Sequence, residues 1–226
     1  MGPTYVSLAD RIQEQFKVPY SLLDGSLSAT ARAYTLAGDL LGVADRGKEL
    51  ARYVERTLAD VDKRVASVPP DRRPSVYYAR GPKGLETAAP GSINAESLDR
   101  LGARNVAAGS GQGLTAVSLE QVLAWNPDVI LTLDPAFHAA VGADPSWQSV
   151  RAVKQRRVYL APLLPFPWVD SPPSVNRIIG LRWLGHALYP DAFPGGMREE
   201  ARTFYSLFYH RPPDEQQLDS LLGSKP

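Results

Sequence analysis

The sequence contains no cysteine and only three histidines, and both shortages restrict its chemistry. Without cysteine, the chain has neither disulfide bonds nor thiolate metal sites. His138, His186 and His210 are scattered along the chain, which argues against a metal or catalytic centre built from histidine.

Motifs for catalysis and nucleotide binding are missing as well. The glycine loop GSGQG at 109–113 lacks the third glycine spacing of a dinucleotide-binding loop, and no good helix opens behind it. There is no P-loop, nucleophile elbow or HExxH motif. We therefore expect neither an enzyme nor a bound cofactor, and an α/β enzyme with an unrecognised site is kept as an alternative.

An excess of charge of one sign is also absent. Lys and Arg number 25 against 24 Asp and Glu, which gives a formal net charge of +1. Such a chain has no overall attraction to nucleic acid, so nucleic acid is not expected as a partner. No apolar run approaches the ~20 residues that a membrane-spanning helix needs, and the segment MGPTYVSLADR has no basic-then-apolar signal pattern.

What is present alternates between helix-like and strand-like segments. Helices are predicted at 7–16, 28–41, 44–65, 93–103, 118–126, 146–155 and from 174 onward. Strands are predicted at 17–25, 74–81, 104–108, 129–133 and 157–162. This alternation indicates an α/β fold with a largely parallel sheet covered on both faces.

The longest predicted helix, 44–65, has one apolar stripe and a length of roughly 33 Å. It ends at the breaker VPPD. A helix of this length could lie along one domain or form a rigid strut between two lobes.

Three predicted strands end in residues suited to binding a ligand, and ligands of parallel sheets bind beyond the carboxyl ends of strands. These ends carry Tyr77, Tyr78, Arg80 and Gly81; Asp134, Pro135 and Phe137; and Phe166, Trp168 and Asp170. Because neighbouring strand residues face opposite ways, we expect only one of the two tyrosines to face a cleft.

The third strand end is the proline-rich stretch LAPLLPFPWVDSPPSVNR, residues 160–177. One interpretation is an aromatic ledge that proline pre-organises for a ligand. The other is a corner that packs Phe166 and Trp168 into the core, with Asp170 and Ser171 as no more than a helix N-cap. For Arg80, a contact to an anionic ligand competes with a structural ion pair to an acid such as Glu86.

Several segments together resemble one known family. VSLEQVLAWNPDVIL, SWQSVRAVKQRRVYLAP and PFPWVDSPPSVNRIIGLRWLGHALYPD are similar to the C-terminal lobe of class III periplasmic solute-binding proteins of ABC importers. YYARGPKGLETAAPGSINAESLDRLGARNVA resembles the opening of that lobe, and ADRIQEQFKVPYSLLDG the closing part of the N-terminal lobe. Residues 44–65 resemble the family's interlobe helix.

The resemblance implies two lobes with parallel-rich sheets joined by one long interlobe helix. Residues 1–43 would be a remnant of the N-terminal lobe, 44–68 the interlobe helix and 69–226 the C-terminal α/β lobe. The family's N-terminal lobe has further strands before the point where this chain begins, so that lobe is expected to be incomplete. We therefore expect self-association of the truncated chain through it. The expected location is periplasmic or otherwise extracytoplasmic, with the signal peptide absent from this chain.

The function that the resemblance implies is capture without chemistry. A small-molecule ligand would bind between the lobes and pass to an ABC permease. Iron complexes (a ferric siderophore or haem) are the expected ligands, with a metal oxyanion (molybdate or tungstate) or cobalamin as alternatives. A non-transport interaction protein is the alternative of another class.

The expected ligand contacts are Tyr5, Tyr78, Arg80, Phe166 and Trp168, with Gly2 to Ser7 as a rim loop that carries Tyr5 at its tip. The resemblance further places Asp10 and Asp170 at the family's exposed acidic positions, which pair with permease arginines. We expect no metal-ligating residues.

Overall fold

The structure is a computed structural model that describes residues 3–223. The chain divides into two compact units, Met1–Val54 and Glu55–Pro226. The helices are Pro3–Phe16 (α1), Thr30–Leu40 (α2), Ala44–Ala66 (α3), Glu96–Arg100 (α4), Leu119–Trp125 (α5), Pro135–Val141 (α6), Arg151–Lys154 (α7), Asn176–Leu188 (α8), Met197–Tyr209 (α9) and Glu215–Leu222 (α10). The strands are Ser75–Ala79 (β1), Glu86–Ala88 (β2), Arg104–Asn105 (β3), Leu114–Ala116 (β4), Val129–Thr132 (β5) and Val158–Leu160 (β6). No helix within 3–223 is long and apolar enough to cross a membrane.

The first unit begins with a helix where a loop was expected. α1 starts at Pro3, so the predicted rim loop is wrong over the described residues Pro3 to Ser7; Gly2 lies outside them. The Ser7 hydroxyl donates to Thr4 O at 3.0 Å inside this helix. The predicted strand at 17–25 is wrong too: the segment is irregular, since Pro19 lacks an N–H donor and no strand is described in this unit to pair with it.

Two glycines let α2 and the start of α3 approach closely. A Cβ built on Gly38 would lie 2.8 Å from the Cα of Gly47, and a Cβ on Gly47 would lie 2.6 Å from Tyr34 O. Any larger residue at either position would push the two backbones apart. The turn between the helices uses Gly42 at φ +71°, a conformation that favours glycine.

The second unit contains a four-stranded parallel sheet in the order β3-β1-β5-β6. Val76 to Ala79 pair with Val129 to Thr132, and Ile130 to Thr132 pair with Val158 to Leu160. The predicted α/β fold with a parallel-rich sheet is confirmed. The two central strands are buried along both faces, as apolar parallel strands require.

Both tyrosines of β1 lie inside the protein. Tyr77 packs on one face of the sheet against Trp125, Trp147 and neighbouring apolar side chains, and its hydroxyl donates to Gly84 O at 2.6 Å. Tyr78 is equally inaccessible. The expectation that one of the two faces an open cleft is therefore wrong, because both hydroxyls find partners within the fold.

Helix α5 forms as predicted, and the next predicted helix does not. Ser118 and Gln121 make a capping box, and Asn126 ends α5 in the left-handed region at φ 43°. The predicted helix 146–155 is broken into a 3₁₀ turn at Pro145–Trp147 and the short α7, with Val150 extended between them. Val150 is buried in the core, so tertiary packing overrides local helix propensity there.

A second, two-stranded antiparallel sheet pairs β2 with β4 and was not predicted. An isolated bridge between Arg80 and Glu86 joins β2 to the end of β1. This bridge folds Glu86 back over the carboxyl end of the parallel sheet. As a result, the carboxylate of Glu86 lies beside Arg80.

Candidate ligand-binding site

A cleft of about 220 Å³ lies at the carboxyl ends of the parallel strands, where the topology of such sheets leaves a crevice. We call it the strand-end cleft. Its lining residues are Arg80, Gly81, Glu86, Leu133, Asp134, Pro167 and Ser171. They come from the ends of β1 and β5, from β2, and from the proline-rich connection between β6 and α8.

Arg80 is the cationic side chain of this lining, and its guanidinium is held by two carboxylates. Its Nε donates to Glu86 at 3.0 Å, and its Nη1 donates to Asp170 and, at 3.3 Å, to the Tyr78 hydroxyl. The guanidinium also lies 5.5 Å from the centre of the Tyr78 ring. Among residues 3–223, no hydrogen-bond partner is found for Nη2 of this cleft-lining side chain, so its two donors have no acceptor in the described part of the protein.

Asp170 is fully buried, so the prediction that it is exposed is wrong. It accepts hydrogen bonds from Asn94 Nδ2 at 2.9 Å and from the Tyr78 hydroxyl at 3.1 Å, and it is ion-paired with Arg80. A carboxylate enclosed in this way has no free surface to offer to a permease arginine. Asn94 lies in the turn before α4, and no sequence pattern marked it.

Burial and neighbouring charges shift the pKa of Tyr78 and of Arg80. Burial, together with the nearby charge of Asp170, raises the pKa of Tyr78 well above its ordinary value, so the hydroxyl stays protonated. Burial lowers the pKa of Arg80, but Tyr78, Glu86 and Asp170 outweigh burial and raise it overall. With Asp134 also in the lining, one cation faces three carboxylates, and this side of the cleft has no net positive charge.

The proline loop, residues 161–175, is fixed to the fold along its length. Trp168 N donates to Pro162 O at 3.0 Å, and Asn176 Nδ2 donates to Phe166 O at 2.7 Å. The Trp168 indole is buried, packs on Tyr205 and donates to its hydroxyl at 3.3 Å. The prediction that Trp168 forms an exposed ledge is wrong, because the loop turns this ring into the core.

Other parts of the loop do reach the surface. Phe166 is 47% exposed and Leu164 is 62% exposed, while Pro167 and Ser171 line the cleft. Ser171 has φ +59°, a conformation that non-glycine residues seldom adopt outside sites where the surroundings impose it. The proline loop is thus partly packed into the core and partly a wall of the cleft. Each of the two interpretations from the sequence, the ligand ledge and the packed corner, is correct for part of the loop.

At the second strand end, one residue of the three named from the sequence lines the cleft. Asp134 is the N-cap of α6, and its carboxylate accepts from the Phe137 N–H at 3.0 Å. Phe137 is buried against Trp147 in the core. Leu133, which was not singled out from the sequence, completes the cleft wall beside Asp134.

Tyr5 and Asp10 both lie on α1, in the first unit. Each is exposed, Tyr5 with 63% of its surface. Their predicted roles in ligand contact and permease docking stay predictions. Within the described residues no group of three or more His, Asp or Glu is arranged to hold a metal ion.

The family model described as "Periplasmic binding protein" matches residues 23–163. This stretch includes β1, β5 and β6 and most of the strand-end cleft. The chain belongs to the periplasmic binding protein family. The matched relatives are binding proteins rather than enzymes, so the prediction that the chain is not an enzyme is confirmed at the level of the family.

Individual relatives agree with this membership. The chain is 32% identical over 180 residues to the molybdate-binding protein MolA of Haemophilus influenzae, which covers 77% of this chain and 50% of MolA. It superposes with a TM-score of 0.91 on an ABC transporter solute-binding protein from Sulfurospirillum deleyianum at 28% identity, covering 99% of this chain and 71% of that one. The structure of MolA bound to molybdate matches with a TM-score of 0.70 at 29% identity, covering 83% of this chain and 58% of that one. The chain spans about half the length of the curated relatives it matches.

Proposed function

We propose that this protein is the substrate-binding component of a bacterial ABC importer, which captures a small metal-containing solute and delivers it to the permease. The observation that carries the proposal is the strand-end cleft, which in this family member lies where parallel sheets bind ligands. Such a protein acts by binding alone, because no bond of the solute is made or broken.

The proposal includes the lobe assignment and the location. Residues 1–43 would belong to an N-terminal lobe, 44–68 to the interlobe helix and 69–226 to the C-terminal lobe. The protein would act outside the cytoplasm. Asp10, exposed on α1, is retained as the acid that pairs with a permease arginine, and Asp170 is not.

We infer that the ligand is a small metal oxyanion of the molybdate class. The cleft is small and mostly polar, and the buried Trp168 and Tyr78 offer no broad aromatic wall for a haem or a siderophore. MolA, which is 32% identical to this chain over 180 aligned residues, is a molybdate-binding protein.

Recognition at this face would rest on hydrogen bonds rather than on net positive charge. Glu86 and Asp170 already neutralise Arg80, but its Nη2 still offers two donors. The Ser171 hydroxyl adds a further polar group on the cleft wall. Hydrogen bonds to an ionised acceptor are the stronger class, worth about 1.5–3 kcal/mol each.

An iron complex is the second candidate, and the exposed part of the proline loop favours it. Leu164 and Phe166 present apolar surface on the loop that also supplies Pro167 and Ser171 to the cleft, and such surface would suit a siderophore or a haem edge.

Calorimetric titration of the purified protein distinguishes the two candidates. We expect saturable binding of molybdate and tungstate, no comparable binding of sulfate, and none of ferric siderophore, haem or cobalamin. Binding of a ferric complex without molybdate would overturn the oxyanion and support the second candidate. Absence of binding by every member of the panel would contradict the solute-binding proposal for this chain.

A further inference from the structure

Three segments that are far apart in sequence meet at one buried side chain. Asp170, in the proline loop, contacts Tyr78 and Arg80 at the end of β1 and Asn94 in the turn before α4. Its neighbour Ser171 lines the strand-end cleft, as does Arg80. The position of this carboxylate therefore determines the geometry of two parts of the cleft wall.

The two carboxylate partners of Arg80 differ sharply in their surroundings. Asp170 has no exposed side-chain surface, whereas Glu86 has 49% of its side chain exposed. The buried carboxylate of Asp170 has no water to solvate its charge, so its ion pair with the Arg80 guanidinium is held firmly. The carboxylate of Glu86 is accessible to water, which competes for its ion pair with Arg80. Of the two, Asp170 is the partner that fixes where Arg80 lies.

The remaining contacts of Asp170 hold the carboxylate itself in place. Asn94 donates to Oδ1, while Tyr78 and Arg80 donate to Oδ2, so both oxygens are engaged. The preceding residue is anchored as well, because Ser97 Oγ donates to Val169 O at 3.3 Å. These contacts hold the Asp170 carboxylate in place if Arg80 moves, so the position of the Arg80 guanidinium depends on Asp170 and not the reverse.

We propose that Asp170 is a positioning residue for ligand binding, which acts through Arg80 by holding its guanidinium so that Nη2 faces the strand-end cleft. The inference rests on the proposed function only in taking this cleft as the ligand site. It assigns to Asp170 a role inside the binding face. It also makes Arg80 a hydrogen-bond donor whose orientation is set by the buried carboxylate of Asp170.

A double-mutant cycle with molybdate as the probe tests whether Asp170 acts through Arg80. Asp170→Asn keeps the size of the side chain and removes its charge, and Arg80→Met removes the donors. We expect each single variant to weaken molybdate binding at least tenfold, and the double variant to bind no more weakly than Arg80→Met alone. Asp62→Asn, which neutralises the exposed partner of Arg100, is the matched control and should leave affinity unchanged. Additive losses in the double variant would overturn the proposal, because a merely structural Asp170 would act independently of Arg80.

A second measurement needs no ligand. A dicarbonyl reagent that modifies arginine, followed by mass spectrometry, reports how freely each guanidinium reacts. We expect Asp170→Asn to accelerate modification of Arg80 at least fivefold and Glu86→Gln to accelerate it less, with Arg100 in the same sample unchanged.

If Asp170→Asn does not fold, Asn94→Ala is the replacement variant. It removes one anchor of the carboxylate, leaves both charges, and should also accelerate modification of Arg80. An unchanged Arg80 rate overturns the proposal. If the wild-type protein does not bind molybdate, the proposed ligand fails and the modification rates alone decide the role of Asp170.

Discussion

Arg80 lies between the core and the cleft, and its partners determine what its removal costs. Its side chain is only 14% exposed and is paired with the fully buried Asp170. Deleting one member of a buried ion pair leaves the other charged and without compensation, which typically costs more than the pair contributes. The same side chain lines the strand-end cleft, so we expect both folding and the proposed ligand binding to depend on it.

Arg80→Ala should therefore lower both stability and affinity. We expect a loss of about 3 kcal/mol in the free energy of unfolding, measured by urea denaturation, and at least a tenfold loss of affinity for molybdate. The matched control is Arg100→Ala, because Arg100 forms an ion pair with Asp62 in which 52% of the acid's side chain is exposed. Such a surface pair is worth about 1 kcal/mol or less. Equal losses in the two variants would show that Asp170 does not depend on Arg80.

The sequence located Arg80 correctly at a strand end and suggested its ion pair with Glu86, but it did not reveal its buried partner Asp170. Its position before Gly81-Pro82, after an apolar strand, was enough to place it at the carboxyl edge of a parallel sheet. Asp170 lies ninety residues away and Asn94 has no recognisable pattern. Contacts of that kind depend on how loops pack, and residue types and spacing carry no signal for them. For the same reason the sequence could not decide between the two interpretations of Trp168, of which the structure confirms the buried one.

At the scale of elements, helix α8 and the proline loop are in direct backbone contact. A Cβ built on Gly180 would lie 1.6 Å from Trp168 O. This separation is far below any real contact, so glycine is required at this position of the helix. The close approach is what allows the Trp168 ring to reach Tyr205 behind the loop.

Gly180→Ala should consequently disrupt the loop even though alanine is the better helix former. We expect a destabilisation of at least about 2 kcal/mol, from overpacking against a backbone that cannot retreat. Hydrogen exchange should show faster exchange of the Trp168 amide, whose partner is Pro162 O. Gly142→Ala, where the new methyl meets nothing within 4 Å, is the control and should change stability little. Wild-type stability in Gly180→Ala would mean that the helix and the loop are not packed as described.

The amino ends of the central strands, opposite the cleft, are tied together by Asp128. Its carboxylate accepts from the Ser75 N–H at 2.9 Å and the Ser75 hydroxyl at 2.7 Å, and from Arg151 Nη1 at 2.6 Å. Burial raises the pKa of Asp128, but these donors outweigh it and lower the pKa to about 2. The site ties the starts of β1, β5 and α7 together, away from the cleft.

Asp128 should therefore contribute stability that is lost in acid. Because its pKa is lower in the folded state, the unfolded chain binds more protons between about pH 4 and pH 2. The contribution is complete above that window and disappears as the pH falls through it. Asp128→Asn should lose about 1 kcal/mol at pH 7, allowing for its partial exposure, and its stability should fall less steeply toward pH 2 than that of the wild type. Urea denaturation at a series of pH values measures this. Asp71→Asn, which neutralises an exposed carboxylate, is the control, and an equally steep acid loss in Asp128→Asn would contradict the assignment.

Elements with strong local signals could be predicted from the sequence, and elements that depend on tertiary contacts could not. Helices α3 and α5 and strands β1, β5 and β6 follow apolar patterns, caps and breakers that lie within each segment. The pair β2–β4 was missed because its short segments ETA and LTA are not apolar runs, whereas the equally short β6, VYL, is one. The segment 17–25 was taken for a strand because it is apolar, although a strand also needs a neighbour.

At the scale of the whole molecule, exposed apolar side chains are concentrated in one part of the chain. Residues 1–54 contain most of the large apolar side chains that the described structure leaves exposed, including Phe16, Leu40 and Leu41. Leu40 and Leu41 are adjacent and are 58% and 77% exposed. Contiguous apolar surface of this kind favours association, because water is released when it is covered.

The protein should accordingly self-associate in solution through residues 1–54. We expect a weight-average mass that rises with concentration in sedimentation velocity. The double variant Leu40→Asp/Leu41→Asp should weaken the association at least tenfold, because burying two carboxylates in such a contact costs more than the apolar contact contributes. The matched control is Leu164→Asp/Phe166→Asp, which places the same charges on the exposed apolar pair of the proline loop and should leave the association unchanged. A strictly monomeric wild-type protein at high concentration would contradict the prediction. If the control variant disperses the protein and the Leu40 and Leu41 variant does not, the interface lies on the exposed part of the proline loop. Ligand binding and self-association would then compete for that loop.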